Sequence, residues 1–497
     1  MPQLLPPHRR HRGKENHRLS APTPLAELVG PVIRDLARRS GKDLTRWFDQ
    51  VARLRGCAEP VRLTGETLTV DAGTGEVLHT YTTGSEPHGQ LLVRCGNRRA
   101  SRCPSCAELY RADTFHLIRA GLIGGTKGVP ETVRAHPRVF ATLTAPSFGP
   151  VHRGPDRHGT PQVCYPRRNG PACFERHAAD DPRVGQPLDP DTYDYVGHVL
   201  WNAHAGDLWR RFTIYLRRHL AGAVGMSQAA FNRQVKVSFA KVAEYQARGV
   251  VHFHAIIRLD GRPDDPEDRT PMPPPDWAGV QLLDGAIRSA AAAVHIDAPD
   301  LGQPTLDLRW GDQVDVKLIN PADLDGEGDQ LTEQKVAGYV AKYATKAAES
   351  AGTLDRRIRS HDLTRLREKG ASEHAARLIR TAWTLGDPLT HPELLDLKLR
   401  KWAHMLGFRG HFSTRSRAYA TTLGKIRQER ADYRQAQLRE TGWAYDPDTT
   451  LVLTHWRFAG QGYTPGESAL ATDLGPSTLP DQKGGDITDG SHASRPR

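Results

Sequence analysis

The sequence predicts an α+β chain: a central antiparallel sheet with helices packed on one face, preceded by a small zinc-ribbon-like module and followed by a helical region. Three observations carry this. Strand-like runs are interrupted by helical ones, which disfavours a doubly wound parallel sheet. Two of the strands, 234–246 and 250–259, are joined by the short turn Ala247-Arg248-Gly249, which suits an antiparallel hairpin. With 497 residues, 38% of them apolar and 25% charged, the chain has material for two to four domains.

Taken in order, residues 1–24 are rich in Pro and Arg without periodicity and read as a disordered basic tail. From 25 to 115 the reading is a helical segment followed by a ribbon-like module: the apolar spacing to Leu54 fits two short amphipathic helices, and turn signals then alternate with short strands around four cysteines. The main domain is placed at 135–350. Within it Arg138 to Thr144 reads as a buried strand and Tyr195 to Leu220 as a long amphipathic helix; the hairpin comes next. Residues 264–277 form a Pro/Asp-rich loop, 282–296 a helix, 305–319 an extended run and 331–349 a helix. The stretch 355–460 reads as basic and mostly helical, and 463–497 as a disordered tail.

Lys plus Arg number 68 against 57 Asp plus Glu, a net charge of +11 that favours a polyanionic partner such as nucleic acid. No apolar run reaches the roughly 18 residues of a membrane helix, and no apolar core follows the basic opening, so no membrane role and a cytoplasmic location are expected. Six cysteines are too few for a disulfide scaffold of this length. Cys103-Pro104-Ser105-Cys106 has the spacing of a metal knuckle, and Cys57 with Cys95 could supply the other half of a structural Zn²⁺ site. Arg94, Arg98, Arg99 and Arg102 around it would suit phosphate contact. Cys164, Cys173 and His177 hint at a second cluster.

His252 and His254 stand two apart in one strand, so both imidazoles leave the same side of the sheet. Two neutral imidazoles make a chelating pair, although hydrogen-bonded histidines on a polar face would give the same pattern. Glu244, or alternatively Gln246, lies on the neighbouring strand and could complete a three-ligand set that leaves positions open for water or phosphate oxygen. Downstream, Tyr339-Val340-Ala341-Lys342-Tyr343-Ala344-Thr345-Lys346 places two phenols, and Lys342 with Lys346, at i and i+4 on a helix. A phenol of pKa about 10 is a weak nucleophile at neutral pH, and a cation beside it is the help it needs. An amphipathic helix burying two aromatics is the plainer reading of that segment taken alone.

Together, Glu244 to His254 and the tandem tyrosine segment resemble the motifs of HUH endonucleases, the rolling-circle replication initiators, in their two-tyrosine form. From about residue 55 to 460, including Thr142 to Gly149, the chain resembles initiator proteins of actinomycete plasmids and integrative elements. The resemblance implies an HUH-like fold and a metal-dependent DNA nicking-joining enzyme. His252, His254 and Glu244 or Gln246 would hold Mg²⁺ or Mn²⁺. Tyr339 or Tyr343 would attack the scissile phosphate, leaving a 5′-phosphotyrosine and a free 3′-hydroxyl, with Lys342 and Lys346 at the phosphate. Which tyrosine attacks first is open. Arg138 to Thr144 resembles the family's first motif and is given no catalytic part. Relatives carry further cysteines beyond Cys173, where this chain has residues such as Asp189 and Thr192, which leaves the second cluster open.

The partners implied are single- and double-stranded DNA at a replication origin and, because no G-x-x-x-x-G-K-[ST] run is present, a separate host helicase along with a DNA polymerase. The stretch Arg400 to Arg439, with Trp402, Phe408, Phe412 and Tyr419, could grip DNA or could be a solvated face with its aromatics in the core. Two other readings share parts of this pattern: a two-tyrosine transposase or relaxase with the same chemistry, and a non-catalytic zinc-containing DNA-binding regulator.

Overall fold

The computed structural model describes residues 41–156, 159–265, 267–268, 270–299, 301, 307–319, 332–345, 352–354, 356–440, 449–464, 467–468 and 471. The expected tail at 1–24 and the helix before residue 41 lie outside these. In chain order the principal elements are α1 (Gly41–Leu54), β1 (Val61–Asp71), β2 (Val77–Thr82), β3 (Leu91–Val93), α2 (Pro104–Ile123), β4 (Arg138–Leu143), α3 (Tyr195–Ala223), α4 (Gln228–Gln234), β5 (Val235–Tyr245), β6 (Val251–Gly261), α5 (Val280–Ala293), β7 (His295–Asp297), β8 (Asp307–Arg309), β9 (Val314–Leu318), α6 (Glu333–Ala344), α7 (Glu373–Leu385), β10 (Ser413–Arg415), α8 (Leu423–Glu440) and β11 (Thr450–Gln461). They divide into two compact units, one of residues up to 95 together with those from 446 on, the other of residues 96–445. This division differs from the sequence boundaries near 115 and 355.

In the first unit β1 pairs antiparallel with β11 along its whole length, from Val61 opposite Gln461 to Asp71 opposite Thr450. On its other side β1 pairs with β2 and, near its start, with β3. Gly65 has a φ of +144°, and a Cβ there would come within 1.9 Å of the His455 carbonyl oxygen, so the close approach of β11 requires glycine. Helix α1 packs Trp47 into this unit, and its Gln50 accepts from the Leu92 N–H at 2.7 Å.

Two expectations are corrected here. The region 355–460 is not mostly helical throughout: Thr450 to Gln461 is a strand, whose alternation of Thr, Val, Trp and Phe suits the pleat once a partner is present. The tail read from 463 is anchored at its start. Glu467, 3% exposed, accepts from the Trp47 indole at 3.2 Å and from Arg62 at 2.8 Å. The remainder of that tail lies outside the described residues, apart from Ser468 and Ala471.

The second unit is built on a five-stranded antiparallel sheet in the order β10-β5-β6-β4-β9. The hairpin of β5 and β6 aligns Glu244 with His252 and Val242 with His254, and β4 lies on the far side of β6 with Thr142 opposite His254. Alternation along these strands builds two cores. On one face Val139, Ala141, Phe253 and Ala255 pack against α3 and α5. On the other, Phe140, Val242 and Ile256 pack with Leu117, Ile118 and Leu122 of α2 and Val336, Ala337 and Val340 of α6. Helices therefore cover both faces, which corrects the expectation of one. The reason lies partly in α2: its 20 residues fall where the sequence suggested the end of a ribbon module, and they form a helix opened by Pro104 at its first position. Near the other end of the unit, β10 adds an edge strand to β5 within the region read as helical.

Candidate active site

The site is assembled on the sheet face that carries Phe140, Thr142, His254 and Ile256. Period-two alternation brings His252 and His254 to this side of β6, with ring centroids 4.4 Å apart. Because Glu244 pairs directly with His252, its carboxylate reaches both rings: Oε2 lies 3.1 Å from His252 Nε2 and 3.2 Å from His254 Nε2. Donor atoms of these three residues fall within 4.8 Å of one another. Gln246 takes another position; its side-chain oxygen accepts from Arg248 Nε at 2.9 Å.

His254 is the more constrained imidazole. It is 4% exposed, stacks on Phe140 with the ring planes 7° apart, and has Thr142 Oγ1 at 3.0 Å from its Nδ1. Burial lowers its pKa below the usual histidine value, an effect that the Glu244 carboxylate partly offsets. The ring is thus held neutral with Nε2 turned to Glu244, the form that a metal ligand needs.

Helix α6 lies over the same face. Thr332 caps it, accepting from the Lys335 N–H at 3.3 Å, and its first residue, Glu333, is buried in an ion pair with Arg138 of β4. At the other end Arg98 Nη1 donates to the Ala344 carbonyl at 3.1 Å. Between these anchors the i and i+4 spacing sets Tyr339 and Tyr343 side by side, with ring centroids 4.4 Å apart. Tyr339 Oη lies 3.2 Å from His254 Nε2, and the Tyr343 ring lies 5.8 Å from the His254 ring. Burial, reinforced by the hydroxyl of Tyr343 and the charge of Glu244, pushes the Tyr339 phenol well above its ordinary pKa. Lys342 is exposed, with Nζ 5.9 Å from the Tyr343 ring centre. Lys346 lies outside the described residues.

Two imidazoles, one carboxylate and two phenols thus share one surface. Thr142 and the pair Arg138–Glu333 escaped the sequence reading, because their parts depend on strand register and helix docking, which no local pattern spells out.

The cysteines of the expected knuckle fall two to each unit. Cys57 and Cys95 are neighbours in the first, where the Cys95 N–H points at Cys57 Sγ at 3.3 Å. Cys103 and Cys106 stand at the start of α2 in the second, both buried. None of the six cysteines is in a disulfide. In the basic stretch from 400, Phe408, Phe412 and Tyr419 are buried, so these three serve the core, while Trp402 is partly exposed. Among the described residues no helix is long and apolar enough to cross a membrane.

Comparison with known proteins gives the family of the chain. The family model described as "Replication initiator protein, pSAM2" matches residues 43–475. The chain is also similar to a replication initiator protein of Streptomyces ambofaciens, at 53% identity over 451 residues that span 89% of this chain and 92% of the relative. No solved structure matches.

Proposed function

Because the chain belongs to the family of pSAM2 replication initiator proteins, we propose that it starts replication by nicking one DNA strand at an origin through a tyrosine, in the manner of HUH endonucleases. The observation that carries this reading is the hydroxyl of Tyr339 at 3.2 Å from His254 Nε2, on the edge of a His–His–Glu set. The donor set suits a divalent cation, Mg²⁺ or Mn²⁺, with His252, His254 and Glu244 as its ligands. When bound, that cation supplies positive charge against the scissile phosphate and the developing phenolate.

The protein's own residues account for the rest. Thr142 and Phe140 fix the His254 ring, and α6 presents both phenols to the same point. Tyr339 Oη gives its proton to solvent and forms a bond to phosphorus while the bond to the 3′-oxygen breaks, and that oxygen takes up a proton from solvent to leave as a hydroxyl able to prime synthesis. The phosphotyrosine ester conserves the energy needed for rejoining. Tyr339, with its hydroxyl at the ligand set, is the first nucleophile in this reading. Tyr343 is the second, which would cut the regenerated origin while Tyr339 still holds a strand. Lys342, and Lys346 beyond it, would neutralise phosphate. The net charge of +11 suits binding of origin DNA, single- and double-stranded. Unwinding and synthesis would fall to a host helicase and polymerase in the cytoplasm. The cysteine pairs Cys57/Cys95 and Cys103/Cys106 retain their assignment to structural zinc.

The test is an adduct assay. Incubated with single-stranded origin DNA and Mn²⁺, the protein should form a covalent complex that resists denaturant, and peptide sequencing should find the DNA on Tyr339. EDTA, or Tyr339→Phe with Tyr343→Phe, should abolish it. An adduct that persists through both treatments overturns the reading.

A further inference from the structure

Outside that site, the described residues of 150–188 run without a long helix or strand, held by single bridges between Val151 and Pro187 and between Tyr165 and Cys173. Inside this segment His152, Cys164, Cys173 and His177 bring one donor atom each to within 4.8 Å of one another. The sequence suggested three of these residues. His152, 12 positions before Cys164, becomes the fourth only because the Val151–Pro187 bridge folds the start of the segment onto its end.

Three of the donor spacings match the edges of a tetrahedron. A cation about 2.0–2.1 Å from imidazole nitrogen and about 2.3 Å from thiolate sulfur has ligand edges of roughly 3.3 Å between nitrogens and roughly 3.6 Å between nitrogen and sulfur. Here His152 Nδ1 lies 3.1 Å from His177 Nε2, Cys164 Sγ 3.7 Å from His152 Nδ1, and Cys173 Sγ 3.4 Å from His177 Nε2.

Two further contacts fit a metal better than hydrogen bonds alone. His177 Nδ1 lies 2.8 Å from Asp181 Oδ2, so it donates there and leaves Nε2 as a lone pair aimed into the cluster, the usual carboxylate–histidine support of a zinc ligand. Without a cation that one lone pair would have to accept from the Cys173 thiol and also face His152 Nδ1 at 3.1 Å. The Arg153 N–H donates to Cys164 Sγ at 3.2 Å, the kind of backbone hydrogen bond that a metal-bound sulfur accepts.

We propose that His152, Cys164, Cys173 and His177 bind a structural Zn²⁺ that clamps residues 150–188 into place. Two thiolates and two imidazoles form a closed four-ligand set with no open position, which marks a structural ion, not a catalytic one. The clamp has an evident object. Arg153, Tyr165 and Gly185 from this segment line a cavity of about 890 Å³ together with Gln246, Arg248 and Arg309. Tyr165 is flanked by the guanidinium groups of Arg153 and Arg167, each 4.7 Å from its ring centre. With so little regular structure, the segment needs a cross-link to hold that wall.

The experiment is a metal count on the full chain purified without chelator. Cys164→Ser with Cys173→Ser should carry one Zn²⁺ per chain fewer than the parent, whereas His252→Ala with His254→Ala should lose none. Loaded with Co²⁺, the parent should show thiolate-to-cobalt absorption that weakens in the serine variant. If the serine variant fails to fold, His152→Cys decides: it must keep the ion as a three-cysteine site with stronger thiolate absorption, while His152→Ala must lose it. Chelation of the parent should also open residues 153–183 to limited proteolysis. An equal zinc count in the parent and a folded serine variant, absence of zinc from His152→Cys, or a Cys164–Cys173 disulfide in the native parent would each overturn the assignment.

Discussion

At the residue scale, the positions that decide chemistry are those whose neighbours restrict their protonation. The Thr142 hydroxyl, 3.0 Å from His254 Nδ1, determines which way that ring presents Nε2. Removing such a support commonly costs 10–100-fold in metal affinity or activity. Thr142→Val should therefore raise the Mn²⁺ concentration that half-saturates adduct formation by about that factor, with origin binding unchanged at fixed salt. On the opposite face of the sheet Lys241 is buried, with Nζ 3.9 Å from the Phe253 ring centre, and burial lowers its pKa to about 7. An unfolded lysine titrates near about 10.4. Between those values the unfolded chain holds a proton that the folded one has released, so this group's contribution makes stability rise with pH across the window; below it the folded state bears the full cost of a buried ammonium. Lys241→Met should thus stabilise the protein by roughly 1–4 kcal/mol near pH 6, with the gain shrinking towards pH 10. Denaturant midpoints measured across that range check the sign, and a gain that grows with pH would contradict it.

At the scale of elements, the question is what holds the tyrosine helix over the histidine strand. Its apolar side, Val336, Ala337 and Val340, packs against α2 and the sheet, but apolar contact fixes rotation better than it fixes position along the axis. The buried pair Arg138–Glu333, with side chains 2% and 1% exposed, supplies that fix by tying the first residue of α6 to β4. Removing Arg138 leaves the buried Glu333 carboxylate with Arg134 alone, whose Nε lies 3.4 Å away. The loss should therefore be at most the ~3–5 kcal/mol of a fully stranded charge, whereas replacing both members of the pair with apolar groups is often neutral. Arg138→Met should therefore lower the melting temperature and the adduct yield together. Arg138→Met combined with Glu333→Leu should recover most of the stability while the adduct yield stays reduced, because the axial fix is gone. Full recovery of yield in the double variant would show that the pair serves stability alone. The hairpin and the tandem tyrosines are legible in the sequence because each is written locally, as a period of two around a short turn and as an i, i+4 repeat. Their convergence is not, since it depends on Glu333 reaching a residue 195 positions earlier.

At the scale of the whole molecule, the same limit explains what the sequence conceals. The central sheet is legible because β5 and β6 adjoin in the chain. The first unit is not, because its central strand finds its longest partner in β11, about 390 residues later, and a strand lacking a visible neighbour reads as part of the helical region around it. His152 escapes for a related reason: its spacing from Cys164 fits no common knuckle, and only the folded segment sets it among the ligands. The split has a mechanical consequence. Eleven residues of β1 pair with β11, and Glu467 engages Trp47 and Arg62, so residues after 445 supply about half of the backbone pairing in the first unit. The second unit draws its sheet, both cores and the His–His–Glu–Tyr set from 96–445 alone. A chain ending at Tyr445 should lose protease protection across residues 41–95, since β1 would keep only β2 and the short β3, and a small sheet deprived of a full-length strand falls below independent stability. Its Mn²⁺-dependent cleavage of single-stranded origin DNA should survive, because no residue of the candidate active site is removed. Continued protection of 41–95 in that truncated chain would mean that α1, β2 and β3 suffice, and that β11 is an addition to the first unit and not its closing strand.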